Sequence, residues 1–388
     1  MSNSPAFNLY SADISKKAKQ LLSKMTLDEK LGQLSQVCSP GAHIPDYLAE
    51  SIRQGRISSV INEVDLNVNN ELQRIAVEES RLGIPLLIGR DVIHGFKTIF
   101  PIPLGQAATW SPEIVKKGAR IAAEESSKAG VNWTFAPMID IARDPRWGRI
   151  AESLGEDPHL CSILGAAMVK GFQTDDLSSI GSIAACAKHF AGYGASESGR
   201  DYNTANIPEN ELRNVYLPPF HQAAKVGAAS FMASFSDLNG VPATGNRWLL
   251  KQVLREEWNY QGVLVSDWES IKELQVHGLS ANEKDSAYLA AKAGVDMEMA
   301  STCYIDNMAA LIAENQIDEA EVDQMVLNIL QMKFALGLFE NPFTDPQTLP
   351  ELVNASNRDA AKDAAQKSCV LLHNRSRFGQ HPVLPINR

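Results

Sequence analysis

The chain has 388 residues, of which 44% are hydrophobic and 21% are charged, and its formal net charge is −10. A chain of this length buries roughly three quarters of the surface that it exposes when unfolded, which indicates a globular protein of one large domain or two smaller ones. The acidic balance argues against nucleic acid or an anionic membrane as the main partner, and it is compatible with a neutral or cationic substrate.

Short apolar runs alternate with longer amphipathic segments along the chain. Eight of these runs are predicted to be strands: 31–37, 57–62, 85–89, 133–137, 183–190, 230–236, 262–267 and 294–299. Strand–helix alternation predicts a parallel sheet with helices outside it, and eight strands over roughly 270 residues match an α/β fold of the (β/α)8 TIM-type barrel. A doubly wound open sheet is the alternative, but no glycine fingerprint follows any of the predicted strands.

Two of the intervening segments carry clear helix boundaries. Residues 111–130 begin with Ser111 as the N-cap and Pro112 at the first helical position, and they stop at Gly130. Residues 246–262 also end on a glycine. Both segments are therefore predicted to be helices that connect strands.

The composition and pattern of the sequence change after Glu340. Residues 341–350 contain three prolines and indicate a connector, residues 354–374 indicate one more helix, and residues 375–388 indicate a tail or the start of a linker. The sequence therefore predicts a barrel over residues 1–340, followed over residues 341–388 by a connector helix and a linker.

Several features bear on compartment and cofactors. No run of about 18 apolar residues occurs, so no transmembrane helix is expected, and the first 17 residues lack the apolar core of a secretory signal, so no signal is expected in this chain and its localisation stays open. Five cysteines without a CxxC motif indicate buried apolar side chains rather than disulfides or a zinc site. No metal-binding motif occurs, and we expect neither a metal nor a cofactor.

Charged side chains stand at or just after the ends of the predicted strands. They are Arg90, Asp91, Asp140, Arg143, Asp144, Arg146, Arg149, Glu152, Lys188, His189, Asp267, Asp296 and Glu298. The carboxyl ends of barrel strands form the active site of such folds, and buried charges are costly unless they are paired. Their repetition at the same end of several strands therefore indicates a shared polar pocket.

Structural alternatives exist for several of these residues. Asp140, Asp144 and Arg146 fit loop ion pairs or turn caps equally well, and Asp296 and Glu298 are expected to be structural. A serine nucleophile is not supported, because no GxSxG motif is present. A carboxylate surrounded by cations and tryptophans suits a carbohydrate, since sugar faces stack on aromatic rings and glycoside cleavage uses carboxylates.

At these residues the sequence resembles glycoside hydrolase family 3, and within it the bacterial β-glucosidase type. The resemblance is carried by MTLDEKLGQL (25–34), GRDVIHGFKTIFPIPLGQAATW (89–110), FAPMIDIARDPRWGRIAESLGEDP (135–158), AKHFAGYG (187–194) and VLVSDWESIKEL (263–274). It implies a retaining, exo-acting hydrolase of terminal non-reducing β-D-glucosyl residues, with an oligosaccharide or β-glucoside as its substrate.

The resemblance also implies roles for individual positions. Asp267 would be the nucleophile that forms a covalent glycosyl-enzyme intermediate, and Trp268 would help to wall the site. Phe235 stands where many relatives carry a tyrosine. Four further residues would grip sugar hydroxyls: Asp91, Arg149, Lys188 and His189. On physical grounds we expect the three cationic side chains to lower the pKa of Asp267 and to donate hydrogen bonds to sugar oxygens.

The acid/base of the resembled family is usually a glutamate of a second, α/β-sandwich domain that follows the barrel. This chain ends at Arg388, where such a domain would begin, so the acid/base is expected to come from a second domain or another subunit, and an apolar docking surface is expected near the tail. The single-domain β-N-acetylhexosaminidases use an Asp–His pair on the loop corresponding to residues 191–207, which here has no histidine.

Three readings therefore stay open at this point. The chain is a fragment of a β-glucosidase with poor or no turnover. Alternatively, it is a barrel-only hydrolase with a substitute acid such as Glu197 or Glu269. A third reading, from a different class, is a carbohydrate-binding barrel without catalysis.

Overall fold

Eight parallel strands close into a barrel, as predicted. The computed structural model describes residues 9–39, 41–376, 382 and 384–386. Around the barrel the strands follow the order β1 (Ser35–Cys38), β2 (Ser59–Ile61), β3 (Leu87–Arg90), β4 (Trp133–Thr134), β5 (Ala184–Phe190), β6 (Ser230–Ala233), β9 (Val263–Trp268) and β10 (Met297–Met299), and β10 pairs with β1. The antiparallel hairpin of β7 (Asp237–Leu238) and β8 (Val241–Pro242) stands above β6.

Helices surround the barrel. They are α1 (Ala12–Leu22), α2 (Leu27–Gln33), α3 (Asp46–Arg53), α4 (Leu66–Arg74), α5 (Pro103–Ala107), α6 (Pro112–Ser127), α7 (Pro158–Gln173), α8 (Glu209–Glu211), α9 (Pro218–Lys225), α10 (Glu283–Ala293), α11 (Cys303–Ala313), α12 (Glu319–Ala335) and α13 (Ala355–Lys367). Three segments are π-helical: Ile75–Glu79, Leu212–Tyr216 and Trp248–Glu257. Within these described ranges, none of the helices has the length and apolarity needed to cross a membrane.

The predicted helix at 111–130 forms as its sequence dictates. The Ser111 side chain accepts a hydrogen bond from the backbone N–H of Ile114, and Pro112 occupies the first turn of α6, where a missing N–H costs nothing. The chain leaves the helix through Gly130, whose φ of 86° lies in the left-handed region that glycine adopts without a steric penalty.

The predicted first strand begins too early. Residues 31–33 belong to α2, whose start is fixed by a capping box in which Thr26 and Glu29 satisfy each other's backbone N–H groups. This local hydrogen bonding extends the helix to Gln33, and the strand begins at Ser35.

The segment predicted as a helix over 246–262 is π-helical over Trp248–Glu257 and ends well before its glycine. Gly262 serves the neighbouring strand instead. A Cβ at this position would lie 2.5 Å from the carbonyl oxygen of Ala229, so the entry to β9 requires glycine because the backbone before β6 passes so close.

Side chains fill the inside of the barrel. Trp133 and Phe135 lie with their ring centroids 4.8 Å apart, and the Trp133 indole donates to Ser230 Oγ at 2.8 Å. Three of the five cysteines are buried as expected: Cys161, Cys186 and Cys303. Cys38 and Cys369 are exposed, so the expectation of burial is wrong for these two thiols.

Asp296 and Glu298 point away from the barrel interior. Asp296 pairs with Arg255 at 2.6 Å and accepts from Asn328, whereas Glu298 accepts from the backbone N–H groups of Cys303 and Tyr304 at the start of α11. Both therefore have the structural role expected for them, and the polar pocket is built by the remaining strands.

The segment after α12 returns along the outside of the barrel. Helix α13 begins as predicted but ends at Lys367, and its Ala360 and Ala364 pack against Phe100 and Ile121. The buried carboxylate of Glu125 on α6 joins two segments that are distant in sequence. It accepts from the backbone of Lys97, Thr98 and Val353 and from the Asn357 side chain.

Exposed apolar side chains lie near the tail, and their role as a docking surface stays a prediction. Ser368, the first residue after α13, lies beside α5 at Gly105, and the nearby Ile102 is 44% exposed. Residues 370–372 follow directly and are 63–90% exposed. The division of the chain at residue 340 into a barrel and a connector toward a second domain stays a prediction.

Candidate active site

A cavity of about 310 Å³ opens at the carboxyl ends of the strands. Six of the seven predicted site residues line it: Asp91, Arg149, Lys188, His189, Asp267 and Trp268. A larger cavity of about 630 Å³ lies at the foot of the barrel, between α1, α12 and residues 251–261, and contains none of the predicted site residues. The smaller cavity is the candidate active site, because the charged side chains converge there.

Asp267 ends β9 at the bottom of this pocket. Its Oδ1 accepts the backbone N–H of Trp268 at 2.7 Å. Its Oδ2 is buried, lies 3.5 Å from His189 Nε2, and has no hydrogen-bond partner among the residues that the structure describes. The carboxyl group therefore has one oxygen held by the strand and one oxygen free to meet a ligand.

Burial controls the charge of Asp267. It raises the pKa of this carboxyl to about 7, although the positive charges of Lys188 and Arg149 and the bond from Trp268 N–H act in the opposite direction. Lys188 and Arg149 act to lower this pKa, as expected, but the loss of hydration outweighs their attraction and the net pKa is raised.

Lys188 and Asp91 form an ion pair across the pocket, with 2.6 Å between Nζ and Oδ1. Burial lowers the pKa of Lys188, but the charges of Asp91 and Asp267 more than offset it, and the net pKa is raised. The ammonium is therefore charged, and its side chain is 5% exposed, whereas that of Asp91 at the rim is 46% exposed.

Arg149 reaches the pocket from a 3₁₀ turn over Gly148–Glu152. Its guanidinium binds Glu152 through two hydrogen bonds of 2.8 and 3.1 Å and lies over the Tyr193 ring at 5.5 Å. These contacts hold the planar group in one orientation, and a group held in this way can offer its remaining N–H donors to hydroxyl oxygens.

Asp140 belongs to the site, although the sequence left it open as a loop ion pair. Its Oδ2 accepts both the backbone N–H of His189 at 2.8 Å and His189 Nδ1 at 2.9 Å. Burial raises the pKa of Asp140 to about 7, and burial together with Arg149 and Lys188 lowers the pKa of His189 well below its usual value. His189 is therefore neutral and does not act as one of the expected cations.

Aromatic rings form one side of the pocket. Phe235, the seventh predicted residue, packs behind His189 and against Tyr193 with ring centroids 6.4 and 5.9 Å apart. Tyr202, which the sequence analysis did not single out, covers Phe235 at 4.4 Å and is 49% exposed. Its φ of 62° is unusual for an aromatic residue, and such backbone strain concentrates at functional sites.

Of the other predicted charges, Glu152 also lines the pocket beside Arg149, whereas Arg143, Asp144 and Arg146 lie outside it. Arg143 pairs with Glu211 at 2.9 Å, and Asp144 pairs with Arg146, in exposed loops. His94 contacts the backbone carbonyl of Phe100 through Nδ1. In the part of the chain that the structure describes, no group of three His, Cys, Asp or Glu side chains has the geometry of a metal site.

Fold and pocket together define a (β/α)8 barrel with a buried carboxylate, paired cations and aromatic rings at the carboxyl ends of its strands. The chain belongs to glycosyl hydrolase family 3, because the model of that family's N-terminal domain matches residues 26–332. The predicted family and fold class are thereby confirmed.

The relatives are named as glycosidases. A periplasmic β-glucosidase of Salmonella typhimurium is 40% identical over 92% of this chain, and a β-xylosidase of Formosa agariphila is 33% identical over 93%. A β-glucosidase of Listeria innocua solved in complex with glucose is 40% identical, with a TM-score of 0.88 over 94% of this chain. The chain spans about half the length of these relatives, namely 47%, 48% and 53%.

Proposed function

We propose that this chain is the sugar-binding barrel of a retaining, exo-acting β-glycosidase that removes terminal non-reducing β-D-glucosyl residues, with Asp267 as its nucleophile. The observation that carries the proposal is the position of Asp267 Oδ2, which lies at the base of the pocket among Asp91, Arg149 and Lys188 and is free to meet a ligand.

The chemistry runs in two steps. In the first, Asp267 Oδ2 attacks the anomeric carbon, the bond from that carbon to the leaving oxygen breaks, and an acid gives a proton to the leaving oxygen. In the second, a water molecule attacks the anomeric carbon of the glycosyl ester, the deprotonated acid takes a proton from that water, and the sugar leaves with the Asp267 carboxylate restored. The carboxylate also stabilises the positive charge that develops on the sugar ring in each transition state.

The charged side chains of the pocket are proposed to bind sugar hydroxyls as either acceptors or donors of hydrogen bonds. Asp91 is proposed to accept from hydroxyls at the open side of the pocket, while Lys188 and Arg149 donate to their oxygens. Trp268, which is 39% exposed at the end of β9, offers a ring face for the apolar side of a sugar. One sugar unit is expected to occupy the cavity, since about 310 Å³ is at the small end of ligand sites.

The proton donor is proposed to come from outside the barrel, as a glutamate of a second α/β-sandwich domain or of another subunit. Two observations support this. The relatives are about twice as long as this chain. In addition, residues 370–372 after α13 are exposed apolar side chains, and such a stretch suits the docking of a further domain.

The sugar is proposed to be glucose, because relatives named β-glucosidases match this chain best among those described, and one of them is solved with glucose. Relatives named β-xylosidases make xylose the second candidate. Parallel measurements with aryl β-D-glucosides and aryl β-D-xylosides would decide, and a higher kcat/KM for the xyloside would contradict the choice of glucose.

Trapping with a 2-deoxy-2-fluoro glucoside that carries a good leaving group tests the nucleophile. Mass spectrometry of the digested protein should find the fluorosugar on the peptide that contains Asp267. Asp267→Ala should remain unlabelled, whereas the matched change of an exposed aspartate, Asp144→Ala, should leave labelling intact. A label on another residue, or equal labelling of Asp267→Ala, would show that the assignment is wrong.

Leaving-group dependence tests the external acid. A chain that lacks its acid should still release 2,4-dinitrophenol, which needs no proton, but should barely cleave cellobiose. Normal cleavage of cellobiose would show that the barrel contains its own acid, and Glu197→Gln and Glu269→Gln would then identify it. Sugar binding without any adduct or release would instead indicate a non-catalytic binding barrel.

A further inference from the structure

Asp140 and His189 are held against each other by the barrel backbone. Beyond β4 the chain continues alongside β5, with Met138 bridged to Lys188 and the backbone N–H of Ile139 donating to the Lys188 carbonyl at 2.9 Å. This pairing places the Asp140 carboxyl under the His189 ring, where both side chains are almost fully buried. The geometry leaves the imidazole a single orientation in the pocket wall.

One oxygen of Asp140 serves two donors. Its Oδ2 accepts a hydrogen bond from the His189 backbone N–H at 2.8 Å, and this bond holds the oxygen in place as an acceptor. The same oxygen lies 2.9 Å from His189 Nδ1. Above its pKa of about 7 the Asp140 carboxyl is ionised and has no proton to give, so the hydrogen of this contact then sits on Nδ1. The other ring nitrogen, Nε2, then carries a lone pair, and it faces Asp267 Oδ2 at 3.5 Å.

We propose that Asp140 is a positioning residue that fixes His189 in the Nδ1–H tautomer, so that Nε2 meets the bound sugar as a hydrogen-bond acceptor. The resemblance to the family gives His189 a place among the hydroxyl-gripping residues, but it does not say which partner donates. The proposal rests on the pocket being the sugar site proposed above, and it adds that a hydroxyl of the sugar donates to His189.

The groups that surround the imidazole agree with this arrangement. Arg149 and Lys188 approach from two elements, and their positive charges oppose a second proton on the ring. Tyr193 packs edge-on at 5.0 Å and Phe235 packs behind, so both close the remaining sides with ring surface. The neutral imidazole therefore has one donor, used by Asp140, and one acceptor, which faces the cavity.

Asp267 Oδ2 stands opposite this acceptor nitrogen. The Nε2 lone pair and an ionised Asp267 Oδ2 would be two acceptors facing each other, and neither has a donor among the described residues to separate them. A proton on Asp267 would relieve the repulsion between these two acceptors, which lie 3.5 Å apart. When sugar binds, its hydroxyl supplies the donor, and Asp267 can lose its proton where it must attack.

Nuclear magnetic resonance of ¹⁵N-histidine-labelled protein tests the proposal directly. The chain has eight histidines, and comparison with His189→Gln assigns the signal of interest. Two-bond couplings to the ring hydrogens should show hydrogen on Nδ1 and none on Nε2 above pH 8. The spectrum does not depend on hydrolysis, so its outcome is separate from that of the trapping experiment on Asp267.

Two substitutions separate the charge of Asp140 from its acceptor oxygen. Asp140→Ala removes both, so the hydrogen should redistribute toward Nε2 and glucose affinity should fall about tenfold. In Asp140→Asn the His189 backbone N–H should keep the amide oxygen in the place of Oδ2, so the tautomer should persist and affinity should fall by less than about threefold. Glu298→Gln, a buried carboxylate capping α11, is the control for a lost buried charge.

Several outcomes would overturn the proposal. An Nε2–H tautomer in the unmodified protein would do so at once, even if the variants failed to fold. An unchanged tautomer in Asp140→Ala would show that another contact orients the ring. A shifted tautomer with unchanged glucose affinity would show that Nε2 does not receive a sugar hydroxyl, and equal losses in Asp140→Asn and Asp140→Ala would show that charge, not acceptor geometry, matters.

Discussion

Replacing Asp267 by asparagine should stabilise the protein at alkaline pH while removing the nucleophile. Burial raises the pKa of this carboxyl from its ordinary 3.8 to about 7 in the folded state. Between these two values the folded chain holds a proton that the unfolded chain has lost, so the free energy of unfolding falls as pH rises. Above pH 7 the folded protein contains a buried negative charge that asparagine would not carry.

The size of the effect follows from the shift. A carboxyl whose pKa moves from 3.8 to about 7 costs the folded state up to ~4 kcal/mol once it is fully ionised. At pH 4 the folded-state carboxyl is protonated, and asparagine resembles it in size and polarity. The stabilisation by Asp267→Asn is therefore expected to be large at pH 8 and small at pH 4.

Thermal unfolding measured at both pH values checks this reasoning. The unfolding midpoint of Asp267→Asn should exceed that of the unmodified chain by several degrees at pH 8 and by little at pH 4. Asp144→Asn is the matched control, because the Arg146 side chain holds the pKa of that exposed carboxyl at about 2, and its loss should not stabilise the protein at either pH. An equal gain at both pH values would trace the effect to something other than ionisation, and no gain would mean that the buried carboxylate is better solvated than its surroundings indicate.

Other consequences of the structure can be measured independently. The kcat/KM of an aryl glucoside should rise about tenfold per pH unit below pH 7 and then level off, because the nucleophile Asp267 must be ionised; a profile that is flat from pH 5 to pH 8 would contradict the raised pKa. Asp91→Ala should weaken glucose binding at least tenfold by calorimetry, with an unchanged circular dichroism spectrum, because it removes an acceptor of hydroxyl bonds and the partner of the buried Lys188; equal affinity would refute its role. Tyr202→Ala should raise the KM for aryl glucosides about fivefold and leave inhibition by glucose unchanged, since the exposed ring lies at the outer edge of the pocket; a matching loss of glucose binding would place it against the first sugar instead. Glu125→Ala should lower the unfolding midpoint more than Glu125→Gln does, because the alanine leaves the backbone N–H groups that bind this carboxylate without a partner; equal midpoints for the two variants would contradict this accounting.

The barrel was predictable because its signal is local and repeated. Each strand is a short apolar run between amphipathic helices, and eight such strands over this length match a closed barrel. The errors arose where local chemistry and tertiary packing compete. Capping by Thr26 and Glu29 converts an apolar stretch before Ser35 into helix, and the π-helical turns of Trp248–Glu257 shorten a helix whose apparent stop, Gly262, serves strand packing.

The site was predictable in part for a related reason. Charges that follow parallel strands must meet at one end of the barrel, so six of seven predicted residues line one cavity. Their pairing was not predictable, because Asp140 and His189 are 49 residues apart and meet through the register of β4 and β5. The pKa of Asp267 also depends on how completely folding removes water, which no spacing in the sequence reveals.

The anchoring of α13 has a practical consequence for protein engineering. Glu125 binds both the start of this helix and the loop at Lys97 and Thr98. Residues inserted upstream, between Gly337 and Leu349, would therefore lengthen the connector without shifting the position of α13. A segment fused after Lys367 would instead begin at a position, and leave in a direction, that are fixed by the packing of α13 against the barrel. A foreign segment should therefore be joined to this protein after Lys367. A junction there lies beyond the Glu125 contacts and should leave the loop that begins at Asp91 undisturbed.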